Sequence, residues 1–479
     1  MMPFLSPAGH RKRRANDRRP CRSALLLSLV AALAACAGPE LIPLGRLYQS
    51  SAQNKLRNPV VLIPGITGSR LVESGSRRVV WGAFTGHSVD PETAEGLRDL
   101  ALPVWQWQPG WPQQRLAELQ DDIEASGPLD KVEVEIMGVP LSVNVYLAIL
   151  NTLGLGGFRQ SPPGLGIDVL DYGKEHYTCF TFFYDWRRDN VANAVAFGEF
   201  LEKAAAFVEK QDRRFGIERG RVRFDVVAHS MGGLIARYYL RFGARDVLSE
   251  DDPPVTWAGA DRIARLVLIG TPNLGSLEAL RTLLEGKQYS VLLPRFQPAL
   301  MATFPSLYQL LPRARHRPLI DASGDGRRLD PYSPELWLNN AWGAFSEEQA
   351  PYRRQLLQGA GEESLRAFVT AALERARRFV AALDKEPGTE CPADVFLFAS
   401  RSIPTPNQAR VYEKGGRLEV DFSDGSLSKP GDGTVTFASA VGDERTPEHW
   451  GPWLETNLPF KAVYLFDGDH LGMTRSRSF

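Results

Sequence analysis

The apolar positions of this chain fall into two kinds of run. Pro59–Ile63, Phe180–Tyr184, Val226–Ala228, Ala264–Ile269, Val395–Ala399 and Ala462–Phe466 are short and apolar almost throughout, without alternation. Such runs predict strands buried on both faces, as a parallel sheet covered by helices requires. Other segments repeat their apolar residues at helical spacing. Asn193–Gln211 does so through its Ala, Phe, Leu and Val positions, and Leu234, Ile235, Tyr238 and Leu240 do so directly after the third strand. Strands alternating with helices predict an α/β fold, with a mostly parallel sheet and helices on both faces.

Two stretches interrupt that alternation and read as insertions. The first runs from about 72 to 170 and carries Trp81, Trp105, Trp107 and Trp111 among Pro and Gly. Within it, Val132 to Val143 reads as a hairpin turning near Met137-Gly138. Tryptophans in a proline-rich segment more often build a small packed core, although Trp also favours a membrane interface. The second insertion, about 276–387, is rich in leucine at helical spacing. It follows the C-terminal end of a core strand, which places it over the crevice where α/β sheets bind ligands.

Chemistry concentrates in Phe224–Leu240, FDVVAHSMGGLIARYYL. An apolar strand, a tight turn through Ser230, Met231, Gly232 and Gly233, and a helix reproduce the nucleophile elbow of α/β-hydrolases. A serine hydroxyl is a weak nucleophile until a base takes its proton and the turn presents its oxygen. Small residues must flank the strained turn. Gly232 meets that need, and Ala228 stands where glycine is usual. The loop after the first strand, Pro64-Gly65-Ile66-Thr67-Gly68, can turn a backbone N–H toward the serine. By position that donor is Ile66, and with the N–H of Met231 it would bind a developing oxyanion.

The base and acid should follow in the order Ser, Asp or Glu, His. Three histidines follow Ser230: His316 inside the helical insertion, His449 in a Pro/Trp-rich loop, and His470 directly after the last strand. Placement favours His470 over His449. Gly431-Asp432-Gly433-Thr434-Val435 sets a glycine-flanked aspartate between the last two core strands, so Asp432 is the candidate acid, with Asp443, Asp467 and Asp469 as competitors. His229, beside the nucleophile, reads as structural and as pointing away from it. No Cys/His spacing makes a metal site, and no cofactor is implied.

The N-terminus changes the charge picture. Residues 10–22 hold seven basic side chains against Asp17, and Ala24–Leu33 is an apolar run too short to span a bilayer as a mature helix. Leu33-Ala34-Ala35-Cys36 follows. This order reads as a secretory signal over 1–35, and its end resembles the bacterial lipobox, in which the cysteine is lipidated. Residues 36–57 then read as a tether and 58–479 as the folded domain. Without 1–35 the chain has 49 basic and 55 acidic residues. That balance lacks the basic face expected for nucleic acid. Ala37, rather than aspartate, after the cysteine points to the outer membrane, facing periplasm or surface.

Pro59–Ile66 with Gly68, Tyr184-Asp185-Trp186-Arg187, Ala228–Gly233, Gly431–Val435 and His470-Leu471-x-Met473 together resemble the lecithin:cholesterol acyltransferase family. That family also holds lysosomal phospholipase A2 and phospholipid:diacylglycerol acyltransferases. The resemblance runs from about Pro59 to Met473. It implies an α/β-hydrolase fold and a metal-independent serine enzyme that moves a lipid acyl group to an alcohol or to water. Carried over by position, Ser230 is nucleophile, Asp432 acid, His470 base, and Ile66 and Met231 oxyanion donors. Nine residues follow His470, little room for the helix that usually backs this histidine. The reading is therefore a lipid-anchored acyltransferase or phospholipase-like hydrolase. An esterase for soluble esters and a non-catalytic surface lipoprotein are the alternatives.

The same fold bears on the cysteines left after removal of the signal and acylation of Cys36. An oxidising compartment suggests a Cys179–Cys391 disulfide. The strand order sets their strands four spacings apart, roughly 19 Å at about 4.8 Å each, against the roughly 7 Å a disulfide tolerates. Two unpaired thiols are expected.

Overall fold

The computed structural model describes residues 56–84, 89–129, 131–136, 139–144, 169–170, 179–288, 294–324, 326–446, 449 and 451–472. The signal segment, Cys36, the tether as far as 55, and Met473 lie outside them. The centre is a seven-stranded sheet. Its strands in chain order are β1 (Val60–Ile63), β2 (Val169–Leu170), β3 (Cys179–Thr181), β4 (Phe224–His229), β5 (Ile263–Ile269), β6 (Asp394–Ala399) and β7 (Phe460–Leu465). In space they run β7-β6-β5-β4-β1-β3-β2. Every pair is parallel except β2 with β3.

The apolar runs explain the centre. Every residue of β1 is buried, as is every residue of β4 but Asp225. Helices α1 (Asn190–Phe215) and α2 (Met231–Phe242) pack beside them through Phe197, Leu201 and Tyr239. This is the α/β-hydrolase architecture that the pattern predicts. One strand is shorter than its apolar run. The run Phe180–Tyr184 gives a strand only to Thr181, although Phe182 N–H still donates to Leu62 O. From Tyr184 the chain turns away to make side-chain contacts that support the site.

Tryptophans of the first insertion lie in a packed core among the described residues. Trp81 and Trp107 are buried, and Trp81 meets Trp186 and Phe296 edge-on at 5.2 and 5.4 Å. The hairpin is present as Lys131–Ile136 against Val139–Asn144, with residues 137–138 outside the described set. The second insertion contributes α3 (Leu277–Glu285) and α4 (Glu362–Asp384). Arg375 on α4 reaches Asp189, the N-cap of α1, through two hydrogen bonds of 2.8 Å. Breaking such a buried pair from one side leaves an uncompensated charge, so α4 is held firmly to the sheet core.

The strand order sets β3 and β6 four positions apart, and Cys179 and Cys391 are both free thiols. Burial pushes the Cys179 thiol up to about 12, which keeps it protonated and unreactive.

Candidate active site

Ser230 sits at the turn between β4 and α2 with φ 52° and ψ −126°. A non-glycine residue held there costs on the order of 1–3 kcal/mol, and the surroundings enforce it. Ser230 N–H donates to Ile269 O at 2.8 Å, and Ser230 O accepts from Gly233 N at 3.0 Å. The two glycines are needed for close approach. A Cβ on Gly232 would lie 2.4 Å from Pro64 O, and one on Gly233 would lie 2.0 Å from Thr271 Oγ1. Ala228 is buried within β4, beside Ile63 and Leu268.

His470 Nε2 lies 2.8 Å from Ser230 Oγ, and His470 Nδ1 lies 2.8 Å from Asp432 Oδ2. Ser230, His470 and Asp432 thus form one hydrogen-bonded chain. The other Asp432 oxygen, Oδ1, accepts from Val435 N at 2.7 Å and Thr434 N at 2.9 Å. Burial alone would raise the Asp432 carboxyl. The His470 ring and these two N–H groups outweigh it and hold the group below its ordinary value. The flanking glycines have distinct tasks. Gly431 lets the loop approach Thr405, where a Cβ would meet Oγ1 at 2.4 Å, and Gly433 takes φ +88°.

His449 does not join this group. It is exposed, and its N–H is turned back onto Thr446. His316 pairs instead with Glu444 at 3.8 Å. Asp443 is engaged by Arg445, and Asp469 Oδ1 accepts from Leu471 N.

The loop carrying Ile66 lies across the mouth of the elbow and is tied down from several sides. Tyr184 O–H donates to Pro64 O at 2.9 Å, Tyr184 N–H to Ser69 Oγ at 3.1 Å, and Trp186 Nε1–H to Ser69 O at 3.3 Å. Trp81 Nε1–H donates to Thr67 O at 2.9 Å. Arg187 braces the block from behind through Asp185 and Asp121. The Tyr-Asp-Trp-Arg motif is therefore scaffolding for this loop. Ile66, Ser230, Asp432 and His470 line one cavity of about 500 Å³ with Leu307 and Leu310 from the helical insertion. Met231 is the first residue of α2. A helix start leaves its first N–H groups, that of Met231 among them, without intrahelical partners.

His229 departs from expectation. It lines the same cavity rather than pointing away. Its Nε2–H donates to the backbone O of His470 at 2.9 Å, and the two rings lie 4.9 Å apart. It ties down the segment that carries His470. No signal in the sequence shows this contact, because its partner is a main-chain atom 241 residues away. Burial, with His470 acting in the same direction, pushes the His229 imidazole down to about 3.

A stability effect follows. With a folded value near 3 and an unfolded value near 6.5, the unfolded chain takes the proton first as pH falls. The contribution of neutral His229 is intact above about 6.5 and is lost progressively toward 3. At pH 4.5 the loss relative to pH 7 is roughly 2–3 kcal/mol. His229→Gln can keep the donor and does not titrate, so its denaturation midpoint should fall less between pH 7 and 4.5 than that of the unmodified protein. Equal falls in the two proteins would refute the assignment.

Among the described residues, no group of three or more His, Cys, Asp or Glu side chains is placed to hold a metal ion. Among them no helix is long and apolar enough to cross a membrane.

The sequence model of the lecithin:cholesterol acyltransferase family matches residues 169–325, which contain the elbow and the Tyr-Asp-Trp-Arg block. No curated protein matches the chain. Among solved structures, one described as the crystal structure of the Tle4-Tli4 complex is similar at 16% identity, with a TM-score of 0.53. The match covers 88% of this chain and 96% of that one. The mature form of Bacillus licheniformis lipase BlEst2 is a remote match, at 11% identity and a TM-score of 0.26 over 88% of each chain.

Proposed function

We propose that this chain is a serine-dependent lipid acyl hydrolase or O-acyltransferase working through an acyl-serine intermediate on Ser230. The family match supports an enzyme of the lipid acyl hydrolase or acyltransferase class. The observation that carries the finer reading is the unbroken chain Ser230–His470–Asp432, opening into a cavity walled partly by Ile66, Leu307 and Leu310.

The steps follow from the atoms present. His470 Nε2 takes the Ser230 proton as Oγ bonds to the ester carbonyl carbon, and the carbonyl oxygen becomes an oxyanion. The N–H groups of Ile66 and Met231 stabilise that charge, and the ties on the 64–69 loop fix the first donor in advance. The His470 imidazolium, held by Asp432, returns its proton to the leaving alcohol oxygen as the C–O bond breaks. Water or an alcohol then repeats the sequence on the acyl-serine and frees Ser230.

A fluorophosphonate should label Ser230 in the unmodified protein. Mixed phospholipids with a long-chain alcohol should yield free fatty acid, a fatty ester or both by mass spectrometry. Turnover of soluble short esters with none of aggregated lipid would assign a soluble-substrate esterase instead. Absence of labelling would assign a non-catalytic binding role.

Localisation is part of the same proposal. A basic segment, a short apolar run and Leu33-Ala34-Ala35-Cys36 support lipidation at Cys36. Ala37 supports delivery to the outer membrane, where lipid substrate is adjacent. Cys36→Ser should shift the protein from the membrane to the soluble fraction on cell fractionation. Firm retention of that variant in membranes would rule out the lipid as the tether.

A further inference from the structure

The turn that carries Ile66 holds a residue at odds with its backbone. Gly68 N–H donates to Gly65 O at 3.1 Å and closes a four-residue turn over Gly65, Ile66, Thr67 and Gly68. Thr67, at the third position, has φ 62°. A positive φ there is the type II pattern, which glycine fills without strain. A β-branched residue in that region is an outlier, because its two γ groups crowd the backbone. Eight described non-glycine residues have positive φ, and Thr67 is the β-branched one among them. Of the eight, only Thr67 and Ser230 line the cavity of the candidate active site.

Such strain persists only where the surroundings enforce it, and here they do. Trp81 Nε1–H holds Thr67 O at 2.9 Å, and Leu129 N–H holds Gly68 O at 2.9 Å. Glycine at 67 would present Ile66 equally well, so orienting the Ile66 N–H does not account for a threonine. What threonine adds is its side chain. Among the described residues the Thr67 hydroxyl has no hydrogen-bond partner. The residue is half-buried and meets the cavity directly after Ile66.

A hydroxyl is a donor that rotates to suit its acceptor. Two substrate oxygens need donors in the serine reaction. The leaving oxygen must lie beside His470 Nε2, which returns the proton to it. The carbonyl oxygen lies on the side of the Ile66 N–H, and charge develops there. We propose that the Thr67 hydroxyl is a third donor to that oxyanion, beside the N–H groups of Ile66 and Met231. Thr67 is then a catalytic residue, and the strained backbone is what sets its hydroxyl in place. This rests on the serine acyl-transfer reading and adds a group to the machinery of the same site.

The test is steady-state turnover of a soluble p-nitrophenyl ester, beside an unfolding curve for each protein. Thr67→Val keeps the shape and removes the donor. Its kcat should fall roughly tenfold to a hundredfold, the scale of one hydrogen bond to a developing charge. KM should change little, because that charge exists only in the transition state. Thr67→Ser keeps the hydroxyl and should recover most of the loss. Thr67→Gly relieves the strain but loses the donor, so it should lose kcat as valine does without a lower denaturation midpoint. The matching thiono ester puts sulfur, a poor acceptor, where the carbonyl oxygen stands. The ratio of ester to thiono-ester rates should therefore fall in Thr67→Val, a shift that a purely structural role would not produce. Unmodified kcat in the valine and glycine variants overturns the assignment. So does a serine variant no faster than valine, or a rate ratio that does not move. Fluorophosphonate labelling of the unmodified protein in those cases leaves Ser230 standing. An unmodified protein that neither labels nor turns over any ester removes the serine reading and this assignment with it.

Discussion

Ser230→Ala should abolish acyl release and fluorophosphonate labelling while the fold survives. The loss in kcat should be on the order of 10⁶, because a nucleophile, its base and their orienting acid act as a unit and little remains once one is gone. The structure gives reason to expect an intact fold. Ser230 contributes its backbone N–H to Ile269 O and its carbonyl to Gly233 N, and alanine keeps both. His470→Ala should fall by a comparable factor, since the same hydrogen-bonded chain is cut at its centre. His449→Ala is the informative control. It is exposed and outside the cavity, so it should stay near the unmodified rate. A dead His449 variant with an active His470 variant would overturn the base assignment.

Much of this site was legible because its parts are local in sequence. A strand buried on both faces is apolar along its covered length, which is why β1 could be read as an unbroken run and β4 through Val226–Ala228. The elbow needs a small residue at 232, and the 2.4 Å approach to Pro64 O shows why. The Asp432 loop was legible through its glycines, one serving close approach and the other a positive φ. The choice of His470 over His449 came from position after the last strand, and it is His470 whose Nε2 lies 2.8 Å from Ser230 Oγ.

What stayed hidden depends on contacts made across the fold. His229 follows a buried strand residue, and alternation alone turns it away from the nucleophile. At the elbow the backbone leaves strand geometry, so alternation no longer holds, and the ring meets the main chain of His470. Tyr184-Asp185-Trp186-Arg187 could be recognised as a motif without showing its task, which is to fasten the 64–69 loop through Pro64 and Ser69. The parallel pairing of Leu319–Asp321 with Ala409–Lys414 was missed as well. Three residues are too few to carry a period.

Asp432→Asn should cost on the order of 10⁴ in kcat, and the hydrogen bonds around the carboxylate indicate how. Oδ1 accepts from both Val435 N and Thr434 N. Two donors aimed at one atom require an acceptor there, so the asparagine oxygen must take that place. Its amide NH₂ is then left where Oδ2 was, facing His470 Nδ1 at about the 2.8 Å of the present bond. An NH₂ group can only donate, so His470 must accept at Nδ1 and carry its proton on Nε2. That proton points at Ser230 Oγ, and the ring can no longer take the serine proton. The asparagine also supplies no charge to stabilise the imidazolium. Both backbone donors keep an acceptor, so the loop and the fold should be retained, and the loss should appear in kcat rather than in the denaturation midpoint. The measurement is steady-state turnover of a soluble ester beside an unfolding curve for each protein. An asparagine variant that kept more than about a hundredth of the activity would remove Asp432 from this role. A variant that lost its fold would show that the oxygen at Oδ1 had not been preserved.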